Sequence, residues 1–121
     1  NLYLETKISS VEGRFKTRKI ITSNQFQKLK SAGLFDLKYG VCKPILYVEY
    51  KREYLKIKDV RISLDNEIKY FLFSGRYLGE DENLIVELKT SIHKDLDELT
   101  NEFPLQRIRF SKYCNGFKKN I

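Results

Sequence analysis

The chain has no apolar run of the roughly 20 residues that a membrane-spanning helix needs. Its first residues show neither the positive segment nor the apolar block of a secretory leader. Histidine occurs once, at His93, which excludes a metal site built from several histidines. Cysteine occurs twice, and Cys42 and Cys114 stand far apart at no metal-ligand spacing. Two free thiols in a reducing compartment are expected, and with them a cytoplasmic location. Any metal must then be held by carboxylates and by oxygens of a ligand, which suits magnesium or manganese. Internal repeats and low-complexity tracts are absent.

What the chain has in excess is positive charge. Lys and Arg number 23 against 16 Asp and Glu, a net charge of +7 over 121 residues, and 41% of residues are hydrophobic. That is enough for one modest globular core. The charge points to an anionic partner: nucleic acid, phosphate or an acidic membrane surface.

Period-two alternation marks the strands. "LYLETKIS" sets Leu2, Leu4 and Ile8 against Tyr3, Glu5 and Lys7; "RFKTRKI" groups Arg14, Lys16 and Arg18. "LYVEYKREYL" groups Val48, Tyr50, Arg52 and Tyr54; "VRISLD" sets Val60, Ile62 and Leu64 against Arg61, Ser63 and Asp65. "LIVELKT" sets Leu84, Val86 and Leu88 against Ile85, Glu87 and Lys89, and "IKYFLF" forms a further short strand after a turn at Asp65 and Asn66. Thr22 and Gln25 form a capping box for a helix carrying Phe26 and Leu29 and stopped by Gly33. Ser91 caps a second helix, with Ile92, Leu96, Leu99 and Phe103 at helical spacing up to Pro104. Residues 34–43 and 74–83 are expected as loops. The fold class is α+β, a mostly antiparallel sheet with two or three helices laid on it.

Four strands carry a Lys or Arg in the middle of the polar face. Two arrangements fit. The sheet can lie flat on its helices and show these charges to water. Alternatively it curls, the charged face lines a channel, and the channel holds a polyanion, because crowded cations in low dielectric repel. Tyr50, Tyr54, Tyr70 and Phe73 could stack bases on a nucleic-acid surface. Glu5, Asp65 and Glu87, however, share faces with the cations. Carboxylates repel phosphate in a nucleic-acid groove but are required where a divalent ion bridges phosphate oxygens.

The ordered set "LETK", "KTRK", "VEYKREYL", "VRISLD", "LIVELK" and "RFSKYCNG" resembles the VTC domain (vacuolar transporter chaperone type), the polyphosphate polymerase branch of the triphosphate tunnel metalloenzymes. That family shows an E-x-K strand, a K-x-R strand, Y-x-R, an arginine-bearing strand ending in Asp, L-E-x-K and a closing F-S-K-[YF]. All six occur here in that order.

The resemblance implies part of a β-tunnel with flanking helices that transfers the terminal phosphoryl group of ATP to polyphosphate, with manganese or magnesium. It implies Glu87 as metal ligand. Lys7, Lys16, Arg18, Arg52, Arg61 and Lys89 contact phosphates, with Tyr50 as a donor beside Arg52. Arg109, Ser111 and Lys112 close the phosphate site. ATP and inorganic polyphosphate are the implied partners.

Two departures stand out. The wider superfamily's E-x-E-x-K appears as Tyr3-x-Glu5-x-Lys7, without its first carboxylate. Residues 1–121 also correspond to the C-terminal part of such a domain, without the leading R-x-R strand, so an uncovered sheet edge and self-association through it are expected. A non-catalytic polyphosphate-binding module and, more remotely, an RNA-binding sheet are the alternatives.

Overall fold

The computed structural model describes residues 1–91, 96–104, 106 and 108–120. The chain divides into two compact units, Asn1–Pro44 and Ile45–Ile121. Both are α+β with antiparallel strands, and the described residues include three helices.

In the first unit, strands β1 (Leu2–Ser10) and β2 (Gly13–Ile21) form a hairpin with Glu5 opposite Arg18 and Lys7 opposite Lys16. Helix α1 (Ser23–Ala32) starts as its capping box dictates. The Gln25 amide donates to Thr22 Oγ1 at 3.1 Å, and the Thr22 amide donates to Gln25 Oε1 at 2.8 Å. It ends at Gly33, whose φ of 85° favours glycine and where a Cβ would lie 2.7 Å from the Cys42 carbonyl oxygen. That close approach belongs to a small hairpin, β3 (Leu34–Asp36) with β4 (Gly40–Cys42). The segment was expected as a loop; three-residue strands are too short to show a period.

The second unit is built around one long strand. β5 (Leu46–Ile57) pairs with β6 (Val60–Leu72), and the other side of β6 is shared by β7 (Tyr77–Asp81) and β8 (Ile85–Lys89). The turn expected at Asp65 and Asn66 is instead a β-bulge inside β6. Glu49 pairs with Lys69 and Lys51 with Asn66, so Glu67 and Ile68 together oppose Tyr50, and Glu67 takes a φ of 51°. The extra residue inverts the alternation, which is why the run read as two strands. β7 was likewise expected as loop, its period hidden by Gly79 and the acidic pair Glu80 and Asp81.

The bulge decides what shares a face. Before it, Arg61, Ser63 and Asp65 stand on the face of Arg52 and Tyr54; after it, Ile68 and Tyr70 stand on that same face. Val60 and Ile62 are buried on the opposite face, Ile68 and Tyr70 on this one. Helix α3 (Lys112–Lys119) packs against β5 and β7. Gly116 meets the Tyr70 ring and Leu46, and the Tyr70 hydroxyl donates to Asp81 Oδ2 at 2.5 Å. Burial and this bond raise the Tyr70 pKa above the ordinary phenol value. Helix α2 (Leu96–Glu102) lies where the second helix was expected, with the Phe103 amide donating to the Leu99 carbonyl just before Pro104. The expected start at Ser91 to Ile92, with His93, runs into residues 92–95, outside those described. Among the described residues no helix is long and apolar enough to cross a membrane.

Gly116 makes a direct test of α3 docking. In a free helix Gly→Ala stabilises by about 1 kcal/mol. Here the new Cβ would lie 2.6 Å from Tyr70 Cδ1. Gly116→Ala is therefore expected to destabilise by about 1–3 kcal/mol from overpacking, read from denaturant midpoints.

Candidate functional site

Antiparallel register places residues that face each other on the same side of a sheet. Across β5, β6 and β8 this produces three successive rows on one face. Lys56, Arg61 and Lys89 form the first, Tyr54, Ser63 and Glu87 the second, and Arg52, Asp65 and Ile85 the third. Glu87 thus lies on the same face as Arg52 and Arg61, as the tunnel arrangement requires.

The first row sets three cations side by side on neighbouring strands about 4.8 Å apart. Like charges directly opposite each other destabilise a sheet. The nearest compensation is partial: Glu87 Oε1 is 3.4 Å from Lys89 Nζ, with both side chains about half exposed. Lys56 was not among the residues singled out from the sequence. Its position two residues past Tyr54 in "REYLK" carried the signal, since strand parity alone puts it on the face of Arg52.

The third row is fully paired and largely buried. Arg52 donates from Nε to Asp65 Oδ1 at 2.6 Å and from Nη2 to Oδ2 at 2.7 Å, a two-pronged fork across adjacent strands. From α3, Lys112 Nζ donates to Asp65 Oδ2 at 2.6 Å. The Asp65 side chain is 2% exposed, against 25% for Arg52 and 21% for Lys112. The Arg52 bonds, more than offsetting burial, hold the Asp65 carboxyl below the usual carboxylate range, with Lys112 adding to the effect. Reciprocally, the bond to Asp65 raises the Arg52 pKa further above its already high value. Tyr50 lies beside both cations, its ring centre 5.1 Å from Arg52 Cζ and 4.6 Å from Lys112 Nζ.

Lys112 occupies the first position of α3, where a cation opposes the helix dipole. Its contact with Asp65, rather than helix propensity, accounts for it. Ser111 is the N-cap: its Oγ accepts from the Cys114 amide at 3.3 Å, and its own hydroxyl hydrogen is not used in that bond. The segment expected as a phosphate-closing end of the chain is thus a helix start, and Arg109 is exposed two residues before the cap.

In the first unit the hairpin brings Lys7, Lys16 and Arg18 to one face with Tyr3 and Glu5. Lys7 faces Lys16 directly, another like-charge pair. Glu5 Oε1 lies 3.7 Å from Lys16 Nζ and 3.4 Å from Arg18 Nε, and the Arg18 guanidinium sits 3.7 Å over the Tyr3 ring. These side chains are a third to a half exposed. The structure therefore gathers Lys7, Lys16 and Arg18 in the first unit and Tyr50, Arg52, Arg61, Glu87, Lys89 and Lys112 in the second.

Among the described residues no group of three or more His, Cys, Asp or Glu could hold a metal ion. Asp65 is consumed by its two cations. Glu87 is half exposed, 3.4 Å from Lys89 Nζ, with a hydroxyl neighbour, Ser63, in its row. One hard oxygen donor fits a magnesium- or manganese-type ion only where phosphate oxygens and water supply most of the shell.

One face of the antiparallel sheet thus carries a row of three crowded cations beside a row in which Asp65 engages Arg52 and Lys112. The VTC domain family model matches residues 2–121, and the chain belongs to that family. Membership points to a polyphosphate-related role. No curated protein and no solved structure matches the chain.

The buried fork gives a pH test. A carboxyl whose folded pKa is depressed contributes stability above its unfolded pKa near 3.9, and that stability is lost as pH falls through the lower folded value. Urea midpoints measured from pH 6 to pH 2 should fall more steeply for the parent than for Asp65→Asn. At pH 6 the variant should be less stable by about 3–5 kcal/mol, the cost of leaving buried cations without their partner.

Proposed function

We propose that this chain is a polyphosphate polymerase domain, transferring the terminal phosphoryl group of ATP to polyphosphate in a metal-dependent reaction. The observation that carries the reading is the row of Lys56, Arg61 and Lys89. Three cations aligned across adjacent strands repel in the absence of an anion, and a chain of phosphates laid over them removes the repulsion. In this reading the sheet forms part of a β-tunnel wall. Arg52, Arg61, Lys89 and Lys112 contact phosphates, together with Arg109 and the Ser111 hydroxyl. Tyr50 donates beside Arg52, and Lys7, Lys16 and Arg18 form the hairpin's phosphate-contacting surface.

The chemistry asks for alignment and charge neutralisation more than for a protein nucleophile. Arginine forks grip phosphate in fixed geometry, whereas lysines act as mobile point charges along a chain that must advance after each addition. Glu87 would hold a divalent ion, which would supply charge neutralisation to the phosphates being exchanged. Glu87, half exposed on this face, disfavours the RNA-binding alternative, because it repels a sugar-phosphate backbone.

Glu87→Gln separates catalysis from binding. It preserves size and hydrogen bonding and removes one negative charge from a cationic face. Metal-free polyphosphate affinity, measured calorimetrically, should be unchanged or tighter. Transfer from ATP with manganese or magnesium should fall by about two orders of magnitude or more, since ion-assisted charge stabilisation supplies several kcal/mol of barrier lowering. Parent-rate polymerisation by the variant would refute Glu87 as metal ligand. Tight binding without any transfer by the parent would identify a non-catalytic polyphosphate-binding module.

A further inference from the structure

We propose that Asp65 is a positioning residue of this phosphate site. It locks Arg52 of β5 and Lys112 of α3 into one arrangement, so that an incoming phosphate meets two ordered cations rather than two mobile ones. The inference rests on the phosphate reading above and adds a role to a carboxylate that this reading does not otherwise use.

The geometry carries it. Asp65 is 2% exposed and receives three charge-assisted bonds of 2.6, 2.7 and 2.6 Å from side chains on two different elements. An acid among anion-binding cations is electrostatically counterproductive, because it cancels part of the charge that attracts phosphate. A buried ion pair is also often no more stabilising than apolar packing of the same volume. What the carboxylate does contribute is order. Lysine and arginine lose more rotamer freedom on being fixed than most side chains do. Asp65 imposes that loss in the folded protein, before any ligand arrives. Its two oxygens engage Nε and Nη2 of Arg52, leaving the Nη1 edge outside the contact, and only one Nζ hydrogen of Lys112 is needed for the third bond. Tyr50, beside both cations, reinforces the same placement.

Charge and positioning predict opposite signs, which makes the test clean. Metal-free tripolyphosphate is titrated calorimetrically into the parent, Asp65→Asn, Arg52→Gln and the double variant. If Asp65 positions, Asp65→Asn binds at least about tenfold more weakly despite its higher net charge, equivalent to one charge-assisted hydrogen bond. Arg52→Gln then costs markedly less in the Asp65→Asn background than in the parent, because Arg52 is already misplaced. Equal or tighter binding by a cooperatively melting Asp65→Asn overturns the inference and leaves the phosphate reading standing. A parent that binds no tripolyphosphate overturns both. Should Asp65→Asn fail to melt cooperatively, exchange of the Arg52 Nε hydrogen with water is followed by NMR in the parent. Slow exchange in the free protein, unchanged by tripolyphosphate, supports prior ordering; exchange as fast as that of the exposed Arg76 overturns it.

Discussion

The buried carboxylate of Asp65 ties the second unit together. It joins β6 to β5 through Arg52 and to α3 through Lys112, at distances of 2.6 to 2.7 Å. A carboxylate so deeply buried is tolerable only when both oxygens are satisfied and its charge is matched. That requirement places a cation at the first position of α3, against the helix dipole, and holds the helix start over the sheet face. The close seat of Gly116 on Tyr70 and Leu46 then fixes the rest of the helix. The β-bulge at Glu67 lets one strand present a polar site and an apolar helix seat on the same face.

Around this neutralised row the remaining charge is left crowded. Lys56, Arg61 and Lys89 align without an adequate counter-charge, and in the first unit Lys7 faces Lys16. A fold selected for stability alone would space such charges or pair them. In each unit this crowding is what the proposed polyanion would relieve, and the chain belongs to the VTC domain family.

Much of this was legible in the sequence because strands advertise themselves by parity. The faces of β1, β2, β5, the first half of β6 and β8 follow directly from alternation, and α1 follows from Thr22, Gln25 and Gly33. The same rule places Arg52, Arg61, Glu87 and Lys89 on the polar strand faces, which the register brings together. What stayed hidden was whatever breaks the period. The bulge at Glu67 imitates a turn, β3 and β4 are too short to alternate, and Gly79 interrupts β7. Helix α3 escaped notice because "KYCNGFKK" contains a glycine and an asparagine of poor helix propensity, which tertiary packing on Tyr70 overrides. The engagement of Arg52 and Lys112 by Asp65 was also invisible. Arg52 and Asp65 are partners by register across the hairpin, and Lys112 comes from 47 residues further along.

The most direct test of the central claim, that one face of the second unit is a phosphate site, is a residue-resolved NMR titration with tripolyphosphate. Perturbations should concentrate on Arg52, Arg61, Glu87, Lys89, Lys112 and Lys56. Lys51 and Lys69, which lie on the opposite face, should stay still. Perturbations spread over surface lysines in proportion to their exposure, or centred on Lys51 and Lys69, would contradict the account.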